Sequence, residues 1–549
     1  MTLHQRNFET IPAQTITIAH KAFPKGNVYL KLRDELGVVY QDAQFVELFC
    51  SSCGQSAYSP GQLAMVTLMQ FIEGLSDQQA AEAVRSRIDW KYALGLELTD
   101  EGFERSVLSE FRTRLVVGGK AEHLLDELLR QAKARGWVKA GKQRTDSTGV
   151  LAAVRNLNRL EVVGETLRHS LNVLATVVPQ WLVQQVDEDW LERYAQRVEQ
   201  GRLATSKAEQ QAWIMQVGVD GHQLLNAIAD AETGEWLRQI PAVELLRQVW
   251  VQQYYLDCEG LHWREAKDLP PYSQQIHSPY DPEARNRTKR QTNWTGYTVH
   301  LSETCDDSGV NLITHVVTTP ATTVDSVTPE IHQALSAKGI AAQEHYVDTA
   351  YAPSAHRVTA EKAGIEIVAP SAPESSWQAH APERFDIACF AIDWQNQVVH
   401  CPLGHASIRW TPDTHSRGHD IIRVSFSGKD CSACPARCLC TQAKTNPRQL
   451  NLLPQEQHVA RQLAQQQQGS EEFKARYARR AGIEGTLSQG VRGFGLRRTR
   501  YLGLAKTHLQ NVVIATAMNL TRLAAHFNCI PRAQTRVSSF AALDSFFSG

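Results

Sequence analysis

The amino-acid sequence predicts an α/β protein: a mixed-sheet core with a helical N-terminal domain, a helical insertion and a small β-rich insertion that contains cysteines. Three observations predict it. The first part of the chain repeats apolar side chains at helical spacing, as in Val107, Leu108, Phe111 and Leu115. From Trp137 the texture becomes strand, hairpin, helix, strand, helix, strand, an order that sets helices against the faces of a sheet. Five of the 11 cysteines then crowd between Cys401 and Cys440.

In chain order, SPGQLAMVTLMQFIEGLSDQQAAEAV carries helix starts at Ser59-Pro60 and at Ser76, where Gln79 completes a capping box; a further helix starts near Ser106. Residues 59–116 hold six Lys/Arg and nine Asp/Glu, the wrong sign for gripping phosphates, so this domain reads as a packing or dimerising unit. WVKAGKQRTDSTGVLAAV reads as a strand, and residues 157–258 return to a helical pattern. WTGYTVHLSET and NLITHVVTTP, joined by CDDSG, alternate as a hairpin. A helix near Pro329, the strand HYVDTAY, a helix through His356 and Lys362 and the strand IEIVAP follow. Short strand-like runs (ACFAID, VVHC, SIRW, IIRVSF) surround the cysteines. Ser470 caps the helix EEFKARYARRAGIE, whose Glu471 and Glu472 suit a helix N-terminus. LQNVVIATAMNLTRLAAHF is a final apolar helix. The division is therefore 1–136, helical N-terminal domain; 137–156 and 286–380, first parts of the core; 157–285, helical insertion; 381–455, cysteine insertion; 470–530, final core helices; and 531–549, a tail read as disordered.

Length and composition bound the function. At 549 residues, 42% hydrophobic and 21% charged, the chain has the make-up of a globular protein rather than a disordered or membrane-embedded one. MTLHQRNFETIPAQ lacks the features of a signal peptide, and no run reaches the roughly 18 apolar residues of a membrane span, so the expected location is cytoplasmic, with thiols rather than disulfides. With 57 Lys+Arg against 58 Asp+Glu, any nucleic-acid surface must be local.

Two acids stand where strands disfavour them: Asp146 inside QRTDSTGV and Asp348 at the end of HYVD. A single such Asp most often caps nearby backbone; two on separate strands of one sheet ask for a shared reason. Further on, Tyr477, Arg480 and Glu484 fall on one helix face at about 100° per residue, and Gly482 and Gly485 suggest that a backbone or a phosphate chain comes close. Between Phe473 and Gln510 there are nine Lys/Arg and one acid, Glu484. A lone carboxylate in a basic surface suits two-metal phosphoryl chemistry, where cations sit beside DNA phosphates. Arg285, Arg287, Lys289 and Arg290 form a second basic run.

These motifs, in this order, resemble the insertion-sequence transposases of the DDE class, through SPGQLAMVTLMQFIEGLSDQQAAEAV, SEFRTRL, TDSTG, WTGYTVHLSETC, YVDTAY and RAGIEGTLSQGVRGFGLRRTRYLGLAKTHLQNVVIATAMNL. The resemblance implies a ribonuclease-H-like core in which Asp146, Asp348 and Glu484 hold two Mg²⁺ (or Mn²⁺) ions, and DNA cleavage at the element's ends followed by strand transfer. It also implies a homodimer or higher oligomer on the terminal repeats, and the missing apolar run argues against a membrane partner. Tyr477, Arg480 and Glu484 match the Tyr-x2-Arg-x3-Glu signature. The Lys that continues it is replaced by Val491, so either a helix break near Gly490 realigns Arg492 or Lys506 takes its role. The expected DNA contacts are Tyr477, Arg480, Arg492, Arg497, Arg498, Arg500, Lys506 and the run from Arg285 to Arg290. The rivals are a nuclease that cuts without joining and a non-catalytic DNA-binding descendant.

The cysteines point to structural Zn²⁺. Cys431-x2-Cys434 places two thiolates on one turn, and Cys401 with Cys438 or Cys440 completes four ligands, with His405 a further candidate. The alternative is five free thiols.

Overall fold

In the computed structural model of the chain, the described residues are all except 1, 2, 4–7, 50–55, 200–205, 231–234, 290, 308, 324, 325, 375, 381, 382, 417, 532–539 and 541–549. Arg290 and the tail beyond 531, apart from residue 540, therefore lie outside them.

Five strands build the core sheet: β1 (Gly141–Leu151), β2 (Thr292–Thr304), β3 (Ile313–Pro320), β4 (Ala342–Tyr346) and β5 (Glu366–Val368). Their order is β3-β2-β1-β4-β5, with β2 antiparallel to both of its neighbours, β1 and β3, and with β4 and β5 parallel to β1. A short strand, Arg285–Lys289, adds to the start of β2. The antiparallel part is the expected hairpin. The parallel part needs crossovers, which the helices Thr328–Ala337 and Ser354–Lys362 supply. This mixed sheet with helices against it is the α/β, ribonuclease-H-like arrangement expected from the sequence.

Local chemistry fixes the helix ends. Ser59 accepts from the Gln62 N–H, Ser76 and Gln79 form a reciprocal capping box, and Ser470 accepts from the Phe473 N–H. Each such cap stabilises its helix by about 1 kcal/mol. The helix Leu504–Phe527 is buried on nearly every side, so it must be central rather than peripheral. One side packs the sheet, where the Asn519 amide bonds both the N–H and the C=O of Ile313. Its surroundings also include the N-terminal helices: Phe71, Trp90 and Phe111 belong to the same continuous apolar core as Val316 and Ile514. The N-terminal helices thus share much of the core of the sheet, beside a small cluster of their own around Ala19, Leu30 and Tyr92.

The other two regions have separate cores. The helices Arg159–Val177, Lys207–Ala229 and Pro241–Gln253 pack around Leu167, Val217, Leu246 and Trp250. Near the cysteines, β6 (Ser407–Thr414), β7 (Asp420–Phe426) and β8 (Gln449–Leu452) form an antiparallel sheet over Phe390, Val424, Phe426 and Leu452.

Candidate active site

Asp146 lies in β1, and its side chain points to the same face as that of Arg144, two residues earlier. β1 and β4 pair in parallel with Arg144 opposite Tyr346, so the same register carried forward sets Asp146 beside Asp348 on chains about 4.8 Å apart. Asp348 stands just past the end of β4, where its carboxylate caps the turn Thr349–Tyr351 through the Ala350 N–H. Burial pushes the Asp146 carboxyl above its usual range; the Arg480 guanidinium opposes the rise, and the charge of Asp348 adds to it.

The third acid comes from the far end of the chain. Residues Glu471–Tyr477 are helical, Ala478–Ala481 tighten into a 3-10 turn, and a second helix runs over Gly482–Gly493. The face shared by Tyr477, Arg480 and Glu484 therefore spans two helices and a turn, rather than one continuous helix. Arg480 joins the acids: its guanidinium bonds Asp146 Oδ2 at 2.5 Å and Glu484 Oε1 at 3.0 Å. The Arg480 Nε–H is buried and has no hydrogen-bond partner. Tyr477 is half-buried and stacks on Phe473, and burial raises its phenol, with Asp348, Asp146 and Glu484 adding to the rise.

Among the described residues no three His, Cys, Asp or Glu side chains are grouped closely enough to hold a metal ion. A guanidinium stands between two of the carboxylates instead. The donor set nonetheless suits hard divalent cations: all three groups are carboxylates, and one is held in a partly desolvated position that favours a nearby positive charge.

The basic residues divide into two groups. Lys474, Arg476 and Arg479 are ion-paired with Glu471, with Glu344 and Glu366, and with Asp307. Arg500 donates to the Leu75 carbonyl at 2.7 Å and lies over the Phe71 ring, so it docks the N-terminal helices on the core. Arg285 bonds the carbonyls of Ser273, Pro282 and Ala284, and Arg287 bonds that of Ala321; both tie down loops. The side chains of Arg492, Arg497, Arg498 and Lys506 are exposed and make no hydrogen bond or ion pair among the described residues. Lys289 is exposed and close enough to Asp146 to draw its pKa down. Arg497 and Arg498 lie at the C-terminal end of β1, where the Leu151 N–H bonds the Arg497 carbonyl at 2.8 Å. The helix runs on to Gly493 without a break near Gly490, so Arg492 is not realigned.

The two glycines differ. At Gly485 there is open space, whereas a Cβ on Gly482 would fall 1.8 Å from the Arg144 guanidinium. Within the protein, the close approach at Gly482 is made by a side chain. Gly485→Ala is expected to raise stability by up to about 1 kcal/mol, as in an ordinary exposed helix. Gly482→Ala should lower it, and thermal unfolding of the two variants separates them.

In the cysteine insertion, Cys401, Cys431, Cys434 and Cys440 line one pocket with His405 and the rings of Phe385, Phe390 and Phe426. Cys438 is exposed and does not reach it. All of these thiols are free.

Sequence reasoning missed Arg144 and Glu303, which pack against the Glu484 helix, and Thr486, the residue of that helix that bonds Glu303. Glu303 carried a usable signal: it is an acid inside the alternating run HLSET, as unfavourable there as Asp146 is in its own strand.

Two family models match the chain. Transposase domain (DUF772) matches residues 18–114, the N-terminal helices, and Transposase DDE domain matches residues 400–524, from Cys401 through Glu484 into the terminal helix. No match was found among curated proteins or among solved structures. No helix among the described residues is long and apolar enough to cross a membrane. With both transposase models matched on one chain and a mixed α/β core between them that sets Asp146 of β1 beside the helix of Glu484, the chain is similar to the DDE transposases of insertion sequences.

Proposed function

We propose that this transposase cuts DNA at the ends of its element and joins the freed 3′ ends to target DNA, with Asp146, Asp348 and Glu484 as the catalytic carboxylates. The observation that carries this reading is the bridge from Arg480 to Asp146 and Glu484, which unites acids 338 positions apart around one positive charge. Two divalent ions, Mg²⁺ or Mn²⁺, held by the three carboxylates would supply activation of the attacking oxygen and stabilisation of the leaving one. With the ions held by the acids, Arg480, here paired with Asp146 and Glu484, would offer its fork of N–H donors to the phosphate backbone. Lys289, Arg492, Arg497, Arg498 and Lys506 hold the DNA beside the acids. Arg285, Arg287 and Arg500 serve the fold instead.

Incubation with linear DNA bearing the element's ends and Mg²⁺, assayed for nicking and for joining, tests the reading. Nicking without joining would make the protein a nuclease, and neither would leave a DNA-binding descendant.

The phosphate-contact assignment has its own test. Affinity for duplex DNA should fall steeply with salt, with a log-log slope of about −0.9 per phosphate neutralised. Replacing Arg492, Arg497, Arg498 and Lys506 by Ala should flatten that slope by about three to four units, while Arg285→Ala leaves it unchanged. An unaltered slope in the fourfold variant would make these residues an ordinary solvated face.

We also propose one structural Zn²⁺ held by Cys401, Cys431, Cys434 and Cys440. The support is that all four thiols line one apolar-walled pocket in a region whose own core is small; zinc binding would draw them closer together. A closed four-thiolate site plays no part in cutting.

A further inference from the structure

Glu303 is completely buried, yet it is an acid paired with two guanidinium groups and lies in the middle of a group of side chains from four separate elements. Across the β1–β2 ladder it is the register partner of Arg144, whose guanidinium bonds Glu303 Oε1 at 2.6 and 2.7 Å. Its other oxygen, Oε2, accepts from Arg522 Nη1 of the terminal helix at 2.8 Å and from the Thr486 hydroxyl at 2.6 Å. Arg522 in turn donates from Nη2 to the Thr486 hydroxyl at 2.6 Å. Arg144 extends past Glu303 to donate to the Arg479 carbonyl at 2.8 Å, filling the space beside Gly482 that a side chain would otherwise occupy.

The contacts fall around one residue. Gly482 and Thr486 stand two positions before and after Glu484, so the helix is held on both sides of the acid while the acid itself remains exposed. Arg144 stands two positions before Asp146 on the same face of β1. A buried ion pair is a poor source of stability, because desolvation offsets most of the attraction. What it supplies is geometry: bonds to a charged group in a dry interior lose strength steeply with displacement and fix both the rotation and the axial position of the helix.

We infer that Arg144, Glu303, Thr486 and Arg522 form a positioning clamp that sets the Glu484 helix over Asp146, none of the four touching DNA or metal. The inference rests on the reading of Asp146, Asp348 and Glu484 as the metal-binding acids. Thr486 gives the cleanest test, because Val has the same shape and lacks only the hydroxyl, and Ser restores it.

Three measurements on the full chain decide the matter: Mn²⁺ affinity by electron paramagnetic resonance, hydrogen exchange of residues 478–493, and nicking of end-bearing DNA. Thr486→Val is expected to weaken Mn²⁺ binding and slow nicking by about tenfold or more, the effect of one bond to a charged group. It should also speed exchange in residues 478–493, with β2, β3 and the N-terminal helices as protected as before. Thr486→Ser should restore all three. Unchanged exchange over residues 478–493 in Thr486→Val would overturn the clamp, and so would faster exchange spread evenly through the core, which would make the network a stability element only. If Asp146→Asn leaves Mn²⁺ binding untouched, the metal-site reading fails by itself, and the exchange pattern still decides whether the helix is clamped.

Discussion

Asp146→Asn is expected to reduce nicking of end-bearing DNA below detection while duplex affinity stays within about twofold. The substitution keeps the shape of the side chain and removes its charge, and a carboxamide is a poor ligand for a hard cation. Loss of the charge also frees Arg480 from the pairing at 2.5 Å, so DNA binding should hold or improve slightly. The expected loss is at least about a thousandfold, because the ions that activate the attacking group and the leaving group are no longer both held. Gel-based nicking and a parallel filter-binding titration give the two numbers. Full cutting by the variant would remove Asp146 from the active site, and equal loss of binding and cutting would make it a folding residue.

Cys440→Ser is expected to strip zinc from the purified protein, whereas Cys438→Ser should keep one equivalent. The two residues are neighbours in sequence, yet only Cys440 lines the pocket shared with Cys401, Cys431 and Cys434. Structural zinc contributes roughly 10–16 kcal/mol of apparent binding energy in small domains, so its loss should unfold the region around β6, β7 and β8. Metal analysis and proteolysis of the two variants check this. Zinc retained in both, or absent from the wild type with all thiols titratable, would leave the cysteines as ordinary free thiols.

Much of this architecture was legible in the sequence because it depends on local chemistry. Ser76 with Gln79, Ser59 before Pro60 and the alternation of WTGYTVHLSET mark helix starts and strands wherever they occur, since caps and periodicity involve residues a few positions apart. Asp146 stood out for the same reason, as an acid costly in its own strand, and Asp348 as an acid closing the strand-like run HYVD. The count of arginines between Phe473 and Gln510 was equally plain. What each arginine does was not. Arg500 reaches a carbonyl 425 positions away and Arg476 pairs with acids on β4 and β5, while the side chains of Arg492, Arg497, Arg498 and Lys506 make no hydrogen bond or ion pair among the described residues. The choice of Cys440 over Cys438, the guanidinium beside Gly482 and the buried Glu303 under the Glu484 helix are likewise tertiary facts. Sequence determined which residues could carry charge, ligate metal or begin an element, because those are properties of a side chain and its near neighbours. Tertiary structure decided which charges are neutralised and which remain free, because pairing depends on distances of a few ångströms between segments hundreds of residues apart, and no local pattern records them.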